Sequence, residues 1–120
     1  MKKIIIASIT VCTLVLAACG GGEPAKNISA DPNYQKGKIL VASSDCLTCH
    51  EINGTAIGPS YTAIANKYDN TDANVTMLSQ KIIAGGSGHW GATPMAMHPD
   101  ITQDNAKTMV RYILLLRTKK

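Results

Sequence analysis

Apolar residues recur at helical spacing along much of the chain, and no stretch shows the strict alternation of a half-buried strand. Asp31 offers an N-cap before Pro32, which suits the first position of a helix because its missing N–H costs nothing there. Start and stop signals of this kind divide the pattern into four predicted helices, at about 32–44, 60–68, 71–84 and 102–117. The chain is therefore predicted to be all-α.

The stretch between the last two predicted helices has no period. Residues 85–101, GGSGHWGATPMAMHPDI, contain four glycines and two prolines. Such a composition breaks both helices and strands, so the stretch is predicted to be a long ordered loop. Long loops without secondary structure in compact domains are usually functional.

The first eighteen residues have the layout of an export signal. Two lysines precede an uncharged run over residues 4–16, which at thirteen residues is short for a membrane span. The run ends in LAAC, which resembles the lipobox of bacterial lipoproteins, whose cysteine is lipidated and becomes the first mature residue. An ordinary secretory signal that contains a cysteine is the alternative. We predict a removed lipoprotein signal peptide at 1–18 and lipidation of Cys19.

Residues 19–32 are small, polar and without pattern, which predicts a flexible lipid-anchored tether. A tether of this length reaches about 20 Å. It would hold a folded domain at 33–120 close to a bacterial membrane, outside the cytoplasm and facing the periplasm. Several acyl chains would make the attachment effectively permanent.

Composition limits what the domain can be. Loss of two lysines with the signal leaves ten basic against eight acidic residues, and the charges are scattered, which does not suit a nucleic-acid-binding protein. One Trp, four Tyr and no Phe provide little aromatic core. Domains this small usually need a disulfide, a bound metal or a cofactor to be stable.

The motif CLTCH offers such a cofactor. Cys46 and Cys49 are the cysteines that remain after the signal and the lipid site are set aside, and His50 follows directly. C-x-x-C-H is the attachment signature of c-type haem, because one helical turn places both thiols on the same side, facing two vinyl groups.

Three other uses of the two cysteines are weaker. A thioredoxin-like redox pair would follow a strand in a βαβ unit, and no such pattern is present. A zinc site would need a second ligand pair at finger-like spacing, whereas the other histidines, His89 and His98, lie in the glycine-rich loop. A structural disulfide with an incidental histidine is the third alternative.

Four pieces of the sequence, taken in order, resemble the small bacterial monohaem class I cytochromes c, over residues 33–116. They are the helix with Gly37 before CLTCH, GPSY at 58–61, SGHWGATPM at 87–95 and MVRYILLL at 109–116. The resemblance implies an all-α class I cytochrome c fold, with four helices wrapped around one covalently attached haem c. It also implies that the first and last helices cross closely, at Gly37 and Tyr112.

The resemblance also implies roles for single residues. Cys46 and Cys49 would carry the thioether bonds, and His50 would bind iron from the proximal side. The Pro59 carbonyl would accept a hydrogen bond from the other ring nitrogen of His50. The indole N–H of Trp90 would reach a haem propionate. Without the resemblance, Pro59 would be a turn proline and Trp90 a packing residue.

The sixth iron ligand has several candidates: Met77, Met95, Met97, Met109, His89 and His98. Helical methionines are more often core residues than ligands. Met95 follows Pro94 in the aperiodic loop, as the axial methionine does in the family, and is our choice. Met97 would point the other way in extended chain. His98 would give bis-histidine ligation; otherwise both loop histidines are expected to be exposed.

Histidine and methionine together would leave iron no open position, which describes an electron carrier and not an enzyme. We therefore expect a membrane-tethered, monomeric carrier between a respiratory donor and a terminal oxidase or reductase, with transient docking at the haem edge. The alternative is a haem enzyme or a gas or redox sensor whose sixth position is open or labile.

Overall fold

The computed structural model describes residues 27–119, so the predictions for the signal peptide at 1–18 and for Cys19 lie outside the described residues. Within this range the chain forms four α-helices, two short 3₁₀ helices and one β-hairpin. The α-helices are α1 (Pro32–Ala42), α2 (Tyr61–Lys67), α3 (Asp72–Ala84) and α4 (Gln103–Leu115). Their number and order confirm the predicted all-α class.

Each α-helix begins directly after a capping residue. The side-chain oxygens of Asp31, Ser60, Thr71 and Thr102 accept hydrogen bonds from backbone N–H groups two or three residues ahead. Gly85 ends α3 with a φ of 67°, a conformation that favours glycine. The predicted bounds differ by one or two residues because capping residues flank the apolar pattern without having helical dihedral angles.

The first and last helices cross at Gly37, as the resemblance implied. A Cβ atom at Gly37 would lie 2.6 Å from the Thr108 carbonyl oxygen and would also overlap the Cβ of Tyr112. Tyr34 packs its ring edge-on against Tyr112, with ring centroids 5.4 Å apart. The missing side chain therefore lets α1 and α4 approach to a distance that any other residue would prevent.

Helix α4 is the central element of the core, because its buried side chains pack in two directions. Toward α1 and α2, Met109 and Ile113 pack against Val41 and Tyr61. Toward α3, the buried partner is Val75, and the α4 residues that contact it are Val110 and Leu114. Such a wide apolar stripe is what a helix with neighbours on two sides requires.

The stretch after α3 contains a hairpin, which the sequence analysis did not predict. Strands β1 (Gly86–Gly88) and β2 (Gly91–Met95) are antiparallel, with Gly86 opposite Met95 and Gly88 opposite Gly91. Nearly all their residues are exposed. Alternation of apolar and polar residues arises only where one strand face is buried, so this hairpin leaves no such signal. The prediction of an irregular loop was wrong here.

The described part of the chain begins inside the stretch predicted as tether. Residues Ile28–Ala30 form a 3₁₀ helix, and the Asn27 side chain caps it by accepting a hydrogen bond from the Ser29 N–H. None of the helices between residues 27 and 119 combines the length and the apolarity that a membrane span requires.

Candidate haem site

A tight turn holds the two cysteines and the histidine of the CLTCH motif. This cysteine turn, residues 45–50, begins with a 3₁₀ helix, Asp45–Thr48. The Cys46 carbonyl accepts hydrogen bonds from the N–H groups of both Cys49, at 3.2 Å, and His50, at 3.0 Å. Side chains three residues apart eclipse each other in a 3₁₀ helix, so this geometry turns both thiols to one side. Both cysteines are free and half-buried.

The His50 imidazole is held on three sides. Its Nδ1 lies 2.7 Å from the Pro59 carbonyl oxygen, and since a carbonyl only accepts, Nδ1 carries the proton. Gly58 lies under the ring, where a Cβ atom would come within 2.6 Å of Cε1. The Tyr61 ring stacks on the imidazole with centroids 5.5 Å apart. These contacts fix the ring plane and leave Nε2 as the nitrogen available to a metal.

Tyr61 is a site residue to which the sequence analysis gave no role beyond its place in GPSY. Tyr61 is 2% exposed, and Cys46 packs against the core cluster that contains it. Burial raises the pKa of the Tyr61 hydroxyl. Burial and the neighbouring Asp45 carboxylate likewise raise the pKa of the Cys46 thiol, which is therefore uncharged at neutral pH. The motif GPSY offered a signal for this role of Tyr61, because Gly58 and Pro59 of the same motif both contact His50.

The cysteine turn opens onto a cavity of about 500 Å³. Every α-helix contributes apolar side chains to its wall: Val41, Ile64, Leu78, Ile82, Met109 and Ile113. A mostly apolar pocket of roughly 300–1,000 Å³ with a few placed polar groups is typical of cofactor sites. Two thiols and an imidazole at one wall match the donor groups of c-type haem. The residues present therefore fit this cofactor.

The candidates for the sixth ligand differ in whether they line the cavity and in which element they lie. Five of them line it: Met77, Met95, Met109, His89 and His98. Met77 lies in α3 and Met109 in α4, where Met109 is 1% exposed and belongs to the core. Met97 does not line the cavity and is 67% exposed. Met95, at the end of β2, shares the cavity with His50.

The two loop histidines differ from each other. His89 is exposed, as expected. His98 was also expected to be exposed, and this was wrong: its side chain is 17% exposed, with Nε2 2.9 Å from Asp45 Oδ1 and Nδ1 3.3 Å from the Ile82 carbonyl oxygen. These partners are distant in sequence, so no local pattern could have indicated them.

Trp90 lies at the tip of the hairpin and lines the cavity while remaining 45% exposed. The Lys67 ammonium lies 4.2 Å from the centroid of its ring, within the range of a cation–π interaction. Lys67 also donates a hydrogen bond of 2.9 Å to the His89 carbonyl. This lysine therefore connects the end of α2 to the hairpin, a role that nothing in its sequence surroundings indicated.

Known proteins resemble the chain over the same region. The sequence model of the cytochrome c family matches residues 34–117. Cytochrome c-551 of Azotobacter vinelandii is 35% identical over 80 residues, which are 67% of this chain and 96% of that protein. Cytochrome c-552 of Hydrogenobacter thermophilus is 35% identical over 78 residues, 65% of this chain and 79% of that protein.

A solved structure agrees with these relatives. The crystal structure of cytochrome c552 from Nitrosomonas europaea superposes with a TM-score of 0.62 and 34% identity, over 67% of this chain and 99% of that one. Together with the four helices and the cavity at the cysteine turn, these matches confirm the class I cytochrome c fold. The chain belongs to the cytochrome c family of electron carriers, and Cys46 and Cys49 attach its one covalent haem c.

Proposed function

We propose that the protein is a lipid-anchored, extracytoplasmic electron carrier whose haem iron is bound by His50 and Met95. The observation that carries the proposal is the hydrogen bond from His50 Nδ1 to the Pro59 carbonyl, at 2.7 Å. It commits one ring nitrogen to the protein and directs the other to a metal. Met95 lines the same cavity and is the methionine there that does not belong to a helix.

The two side chains would determine the chemistry. When bound, haem supplies an iron that alternates between the ferric and ferrous states. His50 and Met95 would both bind the iron, so that no position remains for a substrate or a gas. The Pro59 carbonyl would make His50 a more basic ligand, and the Met95 thioether would raise the reduction potential. Both effects set the reduction potential of the iron, the property on which transfer of electrons depends.

A spectrum tests this ligation. We expect the oxidised protein to show the near-infrared band of methionine bound to ferric haem. Met95→Ala should lose the band, because the sulfur is gone. Met97→Ala is the matched control, since Met97 is 67% exposed and lies outside the cavity wall, and it should keep the band.

The alternative function is tested in the same samples. An enzyme or gas sensor with an open or labile sixth position would lack the band in the wild type and would bind carbon monoxide rapidly when reduced. Wild-type protein without the band, or Met95→Ala with it, would refute the proposed ligation.

Anchoring at Cys19 is supported by the export signal and the lipobox-like LAAC. We expect mature protein to begin at Cys19, to carry acyl chains in its mass, and to sediment with membranes. Cys19→Ala should release haem-containing protein from the membranes. Cys12→Ala, which changes a cysteine inside the signal, should not. A mature protein with an unmodified N-terminus would refute the anchor.

The cavity rim is where a redox partner would dock. Ile57 and Trp90 line the cavity and are also 68% and 45% exposed, which gives the rim an apolar surface of the kind that weak redox encounters use. We propose a respiratory donor and a terminal oxidase or reductase as partners. The near-neutral net charge makes apolar contact, and not charge steering, the main attraction.

Membranes of the source organism provide the test of docking. Ile57→Asp should slow reduction of the protein by energised membranes several-fold. Ile39→Asp is the matched control, because Ile39 is 65% exposed but lies outside the cavity wall, in α1. Equal rates for both variants would place the docking surface elsewhere.

A further inference from the structure

We propose that His98 is a positioning residue that ties the segment carrying Met95 to the cysteine turn, with Asp45 as its partner. We name this segment, residues 95–98, the methionine segment. The proposal rests on the proposed function, because it concerns how Met95 is kept at the cavity. It assigns His98 and Asp45 roles outside haem attachment and iron binding.

Three contacts hold His98 in place. Its backbone N–H donates to the Ile83 carbonyl at 3.1 Å, and Nδ1 lies 3.3 Å from the Ile82 carbonyl oxygen. On the other side of the ring, Nε2 lies 2.9 Å from Asp45 Oδ1. The imidazole thus spans from the end of α3 to the cysteine turn. A ring with both nitrogens occupied by protein acceptors is also unsuited to be an iron ligand.

The two partners lie beside the groups that would bind the haem. His98 follows Met95 by three residues, and Asp45 directly precedes Cys46. In residues 27–119, the ring of His98 makes the one hydrogen bond or ion pair between the methionine segment and the cysteine turn, joining residues 53 apart in sequence. Loss of this contact would leave the two walls of the cavity without a direct polar link.

No residue of the methionine segment is fully buried, so the contacts of His98 and the pairing of Met95 with Gly86 supply most of what holds it. It follows the exposed hairpin, whose strands pair with each other. Its backbone packs against Gly85, where a Cβ atom would lie 2.6 Å from the Met95 carbonyl oxygen. Met97 contributes no burial, since it is 67% exposed. Segments with few buried contacts open most easily, so one charged hydrogen bond is a large share of the restraint.

Competition with free imidazole tests the link in the haem-loaded protein. Imidazole added to oxidised protein displaces a weakly held methionine, and disappearance of the near-infrared band reports the displacement. Loss of a single partly exposed hydrogen bond to a carboxylate should lower the half-maximal imidazole concentration roughly two- to tenfold. We expect that decrease in His98→Ala, and a similar one in Asp45→Ala, which removes the acceptor.

A double variant and matched controls make the test specific. His98→Ala with Asp45→Ala should need no less imidazole than either single variant, because both remove the same contact. Asp100→Ala and Asp104→Ala should match the wild type, since both aspartates are exposed and lie outside the cavity wall. Far-UV circular dichroism at each imidazole concentration should show unchanged helices, which separates displacement of Met95 from unfolding.

The outcomes distinguish the two proposals. Unchanged imidazole concentrations in the variants, or additive effects in the double variant, would overturn the role of His98 while the ligation by Met95 stands. A wild type without the near-infrared band would overturn both. If His98→Ala fails to accumulate as haem protein, Asp45→Ala alone decides the question.

Discussion

The crossing of α1 with α4 and the hairpin that leads to Met95 use glycine in opposite ways. At the crossing, Gly37 is buried, and the absence of its side chain brings two helices together. In the hairpin, Gly88 and Gly91 have φ values of 127° and 110° with open space around them, so glycine there serves the backbone and not the packing. The same residue type thus serves two parts of the molecule. We call the crossing helices α1 and α4 the frame, and the hairpin with the methionine segment the rim. The frame is rigid, and the rim is loosely packed.

This contrast separates two demands on the molecule. The frame must hold the apolar cavity wall, which requires close packing and tolerates little change. The rim must carry Met95 and remain accessible to partners, so its residues are exposed and are held by individual polar contacts. We therefore expect substitutions in the frame to change global stability and substitutions in the rim to change local order.

The largest effect is expected at the crossing. Gly37→Ala places a methyl group 2.6 Å from the Thr108 carbonyl oxygen and should lower the free energy of unfolding by about 3 kcal/mol. Denaturant unfolding of the haem protein measures it. Thr93→Ala, at an exposed position of β2, is the rim control and should change the value by less than about 0.5 kcal/mol. Equal losses in both variants would contradict the division into frame and rim.

An intermediate effect is expected from alkaline pH on the frame. Burial raises the pKa of Tyr112 above its ordinary value near 10, and Coulombic repulsion from Tyr34 adds a smaller increase. The folded state therefore retains a proton that the unfolded state loses, and this contribution to stability is present below pH 10 and lost as pH rises further. The slope from one proton is at most about 1.4 kcal/mol per pH unit.

The variant Tyr112→Phe tests the predicted loss of stability above pH 10. Unfolding free energies measured between pH 8 and 11 should fall less steeply above pH 10 in the variant than in the wild type. Parallel curves would show that Tyr112 does not titrate differently in the folded protein.

The smallest effect is expected in the rim. Lys67→Gln removes the ammonium 4.2 Å from the Trp90 ring and its hydrogen bond to the His89 carbonyl. An exposed cation–π contact is worth about 0.5–1 kcal/mol. Hydrogen exchange of the hairpin amides should accelerate a few-fold, with no measurable change in α4.

Lys38→Gln, which removes an exposed lysine from α1, is the control for Lys67→Gln and should leave the hairpin amides unchanged. Faster exchange in α4 as well would mean that the hairpin is part of the frame.

The frame was predictable from the sequence, and the physical reason is that its signals are local. Capping residues such as Asp31 and Thr102 and the apolar spacing of α4 each lie within a few residues of the structure they determine. The cysteine turn is likewise a contiguous motif. Gly37 was ambiguous on its own and became informative through the resemblance to a family with crossing helices.

The rim was less predictable because its restraints join distant residues. The pair His98 and Asp45 is 53 residues apart, and Lys67 reaches a carbonyl 22 residues away. The hairpin has no buried face, so it produces no alternation. The binding of iron by Met95 and the contact of Trp90 with a propionate are proposals, and the near-infrared spectra test the first.

The pairing of α1 with α4 has a consequence for the order of events during synthesis. These helices stand near the two ends of the described chain, so their contact closes a loop that contains the cysteine turn. Closing a long loop is slow and cannot happen before its last residues exist. Cys46 and Cys49 are therefore made well before the helix that completes their surroundings, and the cavity wall cannot close over the cysteine turn until α4 has been added.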